Sequence, residues 1–198
     1  MPVDNHTFEN IKNSLTPETY QILLERKAIE SAPPDADALT IEHAEFTKLN
    51  LQRTSRIRRT YKISPELKQA VASIEQEQVW LVITEPWCGD SAQILPYIEK
   101  SAQLNPKITL RILLRDENPK IMDQYLTNGT RSIPKFIAFD KNGEELFQWG
   151  PRPKEAEKLL AGLKAEGLEK PQYLEKLHLW YGRNRGQAFE KELLHLIS

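Results

Sequence analysis

The sequence predicts an α/β fold with a mixed sheet in the order β-α-β-α-β-β-α, carrying helical extensions at both ends. Three observations predict it. Residues 79–84 and 108–114 are continuous apolar runs of strand length, rich in β-branched side chains, as expected of strands buried on both faces. Between them Ile94, Leu95, Ile98 and Leu104 recur at helical spacing, which supplies the crossover that two parallel strands require. Further on, 135–139 and 145–149 are short strand patterns joined by Asp140-Lys-Asn-Gly, an Asn-Gly turn and therefore an antiparallel hairpin.

The other elements follow in chain order. Leu15, Tyr20, Leu23 and Leu24 read as a helix that begins in the capping-type stretch 14–17 and stops before Ser31-Ala-Pro-Pro-Asp. A second helix from about Thr40 carries Ala44, Phe46, Leu49, Ile57 and Tyr61. Ser64 can cap a third, with Pro65 at its first position. After the second strand a helix is expected from Asn118 to about Gly129, carrying Ile121, Met122, Tyr125 and Leu126, with Gly129 as its stop. Another starts near Lys154 with Ala156, Leu159, Leu160 and Leu163. Leu174, Leu177 and Tyr181, then Phe189, Leu193, Leu196 and Ile197, continue as helix around a break at 182–186. The expected division is a helical extension over 1–64, an α/β domain over 65–165, and a second extension over 166–198 packed on it. The extensions have apolar stripes and no internal partners, so they must pack on the core or against a second chain.

Composition narrows the function. A chain of 198 residues with 39% hydrophobic and 28% charged side chains is long enough for one sizeable core and is not disordered. Its 27 Lys and Arg against 28 Asp and Glu leave no global positive field, so neither nucleic acid nor membrane is an expected partner. Residues 1–6 lack the pattern of a signal peptide, and the single cysteine, Cys88, allows no intramolecular disulfide, so a cytoplasmic, reducing location is expected. The four histidines are dispersed without ligand spacing, and no metal is expected. One motif stands apart: Lys48, Arg53, Arg56, Arg58, Arg59 and Lys62 form a basic run without an acid. In a neutral chain it reads first as a solvated helix face pairing with acids elsewhere, ahead of a patch for an acidic partner.

The chemistry points to Trp87-Cys88-Gly89-Asp90-Ser91, between the first strand and its helix. A thiol at a helix N-terminus faces unpaired N–H groups and the positive end of the helix dipole, which can bring its pKa to roughly 3.5–7.5. The other reading of a lone cysteine is a small buried hydrophobe. The strand-to-helix junction, where open α/β sheets place ligands, favours a functional thiol.

The sequence resembles the thioredoxin family over roughly residues 65–165. The resemblance rests on Trp87-Cys88-Gly89-Asp90-Ser91 after a buried strand, Ser132-Ile133-Pro134 before the next-to-last strand, the Asn142-Gly143 hairpin, and Gly150 beyond the last strand. More narrowly, Leu114-Arg-Asp-Glu-Asn, Tyr125-Leu-Thr-Asn-Gly, Arg131-Ser-Ile-Pro-Lys and Trp149-Gly-Pro-Arg-Pro resemble an uncharacterised bacterial subgroup with helical extensions. The resemblance implies a thioredoxin-like fold, a cis Ile133-Pro134 peptide against the active-site cysteine, and substrate contacts from Trp87, Gly89, Asp90, Ile133 and Pro134. Where the family has a second cysteine this chain has Ser91, and the family's buried acid falls on Val82, so the dithiol cycle cannot be carried over.

What is then expected is monothiol redox or thiol-disulfide exchange. Cys88 would be the nucleophile and Ser91 a hydrogen-bond donor to its thiolate, with glutathione or a protein disulfide as partner and no cofactor beyond an external thiol. The alternative is a binding module that kept the fold, lost the cycle, and meets a protein through its extensions. Arg115, Asp116, Arg131 and Arg152 are placed near the strand ends as a candidate polar cluster, or as salt bridges tying loops to extensions. Trp87 is expected to line the site and Trp149 to pack.

Overall fold

The computed structural model describes residues 4–198. Strands β1 (Gln78–Thr84), β2 (Ile108–Leu114), β3 (Lys135–Asp140) and β4 (Glu145–Trp149) form one sheet in the order β2-β1-β3-β4. β1 and β2 are parallel, with Val82 opposite Ile112, whereas β1 with β3 and β3 with β4 are antiparallel. The helices are α1 (Asn5–Lys12), α2 (Pro17–Ile29), α3 (Ala38–Thr60), α4 (Pro65–Ala72), α5 (Gly89–Ala102), α6 (Pro119–Met122), α7 (Lys154–Ala165), α8 (Lys170–Asn184) and α9 (Gln187–Ile197).

The strand period of two divides the core. Trp80, Val82, Ile112, Phe136 and Ala138 face the layer that α5 and residues of α2, α3, α4, α7, α8 and α9 cover. Leu81, Ile83, Leu113, Ile137 and Phe139 face the opposite way, towards Phe8 and Ile11 of α1, Ile121, Met122, Tyr125 and Cys88. The extensions are therefore part of the packing. α3 lies along α5 through a two-point ion pair in which Arg58 donates to Glu99 at 2.7 and 2.9 Å. α9 reaches α4 and α3 through Glu190, which accepts from the Tyr61 hydroxyl at 2.5 Å.

Two expectations are corrected. Leu15 is not in a helix: it exchanges backbone hydrogen bonds with Ile112 on the open edge of β2, at 3.0 and 2.8 Å, and α2 starts after it at Pro17, capped by Thr16. Covering that edge removes unpaired backbone groups from a strand that has β1 on one side only. The helix expected over 118–129 is a single turn, α6, whose Asn118 makes no side-chain cap. Beyond it the chain runs as a loop to a two-residue turn at Asn128 (φ 50°) and Gly129 (φ 75°), with Thr127 and Thr130 bonded both ways at 2.9 and 3.0 Å. Ile121, Met122 and Tyr125 are still buried, from a compact loop.

Candidate functional site

Cys88 is the N-cap of α5, at the end of the β1 loop. Its Sγ accepts from the Ser91 backbone N at 3.5 Å and donates to the Ile133 carbonyl at 3.3 Å. A sulfur that donates carries its proton. Only 7% of the residue is exposed. Burial first, and the nearby Asp90 charge second, push the thiol up to about 11, while Ser91 pulls weakly the other way. This corrects the low pKa expected from the helix N-terminus: the oriented N–H groups are present, but desolvation of the anion outweighs them. Ser91 is almost fully buried, and its Oγ, the expected donor to a thiolate, makes no hydrogen bond in this state.

The Ile133-Pro134 peptide is cis, and both residues are buried beside Cys88. Gly150, at φ 117°, lets β4 leave the sheet against this loop. A Cβ there would lie 2.2 Å from the Pro134 carbonyl oxygen, so no other residue fits.

The loop is gripped on two sides. Trp87 stacks on His43 of α3, ring centroids 4.2 Å apart and 8° from parallel, and the Arg115 guanidinium lies 4.7 Å from the ring. On the other side Asp90 accepts from Arg152 at 2.5 and 3.2 Å and from the Tyr181 hydroxyl of α8 at 2.6 Å. Gly89 faces the His178 imidazole so closely that a Cβ would lie 3.0 Å from it, and Gln93 meets His178 Nδ1 at 3.2 Å.

The expected polar cluster separates accordingly. Arg152 joins the Cys88 loop through Asp90. Arg115 pairs with Asp116 at 2.8 Å and covers Trp87. Arg131 is turned away, half exposed and paired with Asp123 at 2.7 Å. Trp149 packs on Phe189 and donates to Glu192 at 2.6 Å.

Among the residues at the site that were not singled out from the sequence are Glu85, His43, His178 and Tyr181. Glu85 is 7% exposed, accepts from the Asp116 backbone N at 2.8 Å, and is pushed up to about 7, mainly by burial. It lines a cavity of ≈ 470 Å³ with Trp87, His43 and Leu114. Its signal was available, since it stands three residues before Cys88 directly after an apolar strand. His43, His178 and Tyr181 arrive from 45 to 93 residues away, and no local pattern marks them. Among the described residues no group of three or more His, Cys, Asp or Glu is placed to hold a metal. No described helix is long and apolar enough to cross a membrane.

A mixed four-stranded sheet, a cysteine capping the helix after its central strand, and a cis-proline against that cysteine define a thioredoxin-like protein with one thiol. The family model described as Thioredoxin matches residues 40–166, and the chain belongs to the thioredoxin family. Among solved structures it is similar to PA1234, a protein of unknown function from Pseudomonas aeruginosa, at 23% identity and TM-score 0.56 over 75% of this chain and 84% of that one. It is also similar to an HIV epitope-scaffold, at 19% identity and TM-score 0.57 over 87% of this chain and 95% of that one. Both likenesses are of fold. No curated protein matches the sequence.

Proposed function

We propose that the chain is a thioredoxin-fold binding protein in which Cys88 is kept as a reduced, hydrogen-bonded thiol and no dithiol cycle operates. The observation that carries this reading is the 3.3 Å hydrogen bond from Cys88 Sγ to the Ile133 carbonyl. It occupies the carbonyl that precedes Pro134, where the family resemblance places substrate backbone, and it holds the sulfur in its unreactive form. Ser91 in the resolving position supports the same reading. In it a core over 65–165 is flanked by extensions over 1–64 and 166–198, which supply the surface for a protein partner in a reducing cytoplasm. The chain then falls in the bacterial thioredoxin-like subgroup whose motif reads Trp-Cys-Gly-Asp-Ser.

One observation favours a second reading, monothiol exchange with glutathione or a protein disulfide. Ser91 offers its N–H to Sγ and has a buried Oγ free to donate, which would steady a thiolate once Cys88 released Ile133. Incubation with glutathione disulfide at neutral pH, followed by intact mass, separates the two. Attack by Cys88 would join one glutathionyl group to the chain and release one glutathione. The native chain is expected to gain no adduct over the time in which the urea-unfolded chain is fully converted. An adduct at the unfolded chain's rate would overturn the binding reading and establish the exchange reading.

A further inference from the structure

Part of the basic run over 48–62 gathers away from Cys88. Arg58 leaves it to pair with Glu99, and Arg53 donates to Asn50 Oδ1 at 2.9 Å. Arg56 and Lys62 have no ion pair or side-chain hydrogen bond among the described residues, and both line a cavity of ≈ 650 Å³ between α3, α5, α8 and α9. A third such cation, Arg185, reaches the same cavity from the end of α8, where the backbone turns left-handed at φ 53°.

Beside these cations the lining is largely polar, and its aromatic and apolar part is Ile57 with three tyrosines, Tyr61, Tyr97 and Tyr181. The one carboxylate in the lining, Glu190, is already engaged by the Tyr61 hydroxyl and, at 3.3 Å, by the Ser64 N–H. Three cations against one anion leave the lining at +2 in a chain whose formal charge is −1. Neighbouring groups register the excess. Burial first, then the Arg53 and Arg56 charges, hold His178 down at about 4, and burial with Arg56 draws Arg53 down to about 10.

Exposed cations without partners, brought from two distant parts of the chain to one concave space, give it a positive potential that favours an anion. We propose that this cavity binds a small organic anion, a phosphate or carboxylate head on an aromatic or apolar body. The guanidinium groups of Arg56 and Arg185 suit a planar or tetrahedral oxyanion, and the volume falls within the usual range for small-molecule sites. A surface for nucleic acid would instead spread its cations along an open face. The proposal is independent of any chemistry at Cys88, although Tyr181 lines the cavity and holds Asp90, so that occupancy would be felt at the loop.

The test is a titration of the full ¹⁵N-labelled chain at low salt with phenyl phosphate, phenylacetate and inorganic phosphate, followed by amide shifts. Saturable shifts at Ile57, Gly182 and Gln187 are expected with one or both aromatic anions, and whichever binds more tightly identifies the head group. The double variant Arg56→Ala, Arg185→Ala should weaken that binding about tenfold or more. Lys141→Ala, on a different surface, should leave it unchanged. Both arginines are exposed, and unmoved core resonances establish that the variants fold. No saturable shift with any probe, shifts the double variant does not weaken, or inorganic phosphate binding as tightly as phenyl phosphate would overturn the proposal.

Discussion

On the Trp87 side of the Cys88 loop the contacts are ring faces: an imidazole stacked on the indole and a guanidinium against the same ring, with Trp87 half-buried. On the Asp90 side they are directional and charged, with Arg152 and the Tyr181 hydroxyl both donating to one carboxylate that is largely withdrawn from water. The first arrangement tolerates sliding and partial opening. The second does not, because each partner left behind would be a desolvated polar group without a hydrogen bond. The thiol lies between a soft cover and a rigid one, and the rigid one also supplies the Asp90 charge that opposes a thiolate.

Asp90→Ala is expected to have the largest effect. It strands Arg152 and Tyr181 together, at a cost of about 3 kcal/mol in urea unfolding. It also removes the negative charge beside Cys88, so alkylation should become faster at pH 8. Loss of stability without faster alkylation would show that Asp90 matters to the extension alone.

Two buried groups, one on each side of the loop, carry opposite pH dependences. Glu85, on the Trp87 side, is raised from 4.5 to about 7 in the folded chain. As pH rises through that window the unfolded carboxyl ionises while the folded one keeps its proton, so stability falls and then levels off above 7. Glu85→Gln keeps an oxygen for the Asp116 N–H and removes this loss. The variant should match the native chain near pH 4 and exceed it by about 2 kcal/mol at pH 8 in urea unfolding. His178, on the Asp90 side, is lowered from 6.5 to about 4, so its contribution is lost as pH falls through that interval. His178→Gln should flatten the acid limb only.

The smallest effect is expected from His43→Ala, which removes one stacked ring from a half-exposed indole, about 1 kcal/mol by thermal unfolding. A loss as large as that of Asp90→Ala would erase the distinction between the two sides.

What was legible in the sequence is what local pattern controls. The buried strands, the crossover helix, the Asn142-Gly143 hairpin and the placement of Cys88 and Pro134 follow from runs of a few residues, and the structure places them so. The turn at 127–130 carried the same Asn-Gly signal as the hairpin, but the apolar spacing of Ile121, Met122 and Tyr125 suggested a helix that one turn of α6 and a loop replace. The state of the thiol was not legible, because it depends on how much of the loop other segments cover. His43 and Tyr181, which grip that loop from the two extensions, look in the sequence like one dispersed histidine and one residue of an apolar stripe.

Whether burial overrides the helix N-terminus at Cys88 can be measured on the thiol itself. Cys88 is the chain's one cysteine, so selective ¹³Cβ labelling reports a single signal. Its shift should stay that of a thiol to about pH 9.5, consistent with a pKa pushed up to about 11. A thiolate shift with its midpoint at or below about 8.5, the value of an ordinary thiol, would contradict it.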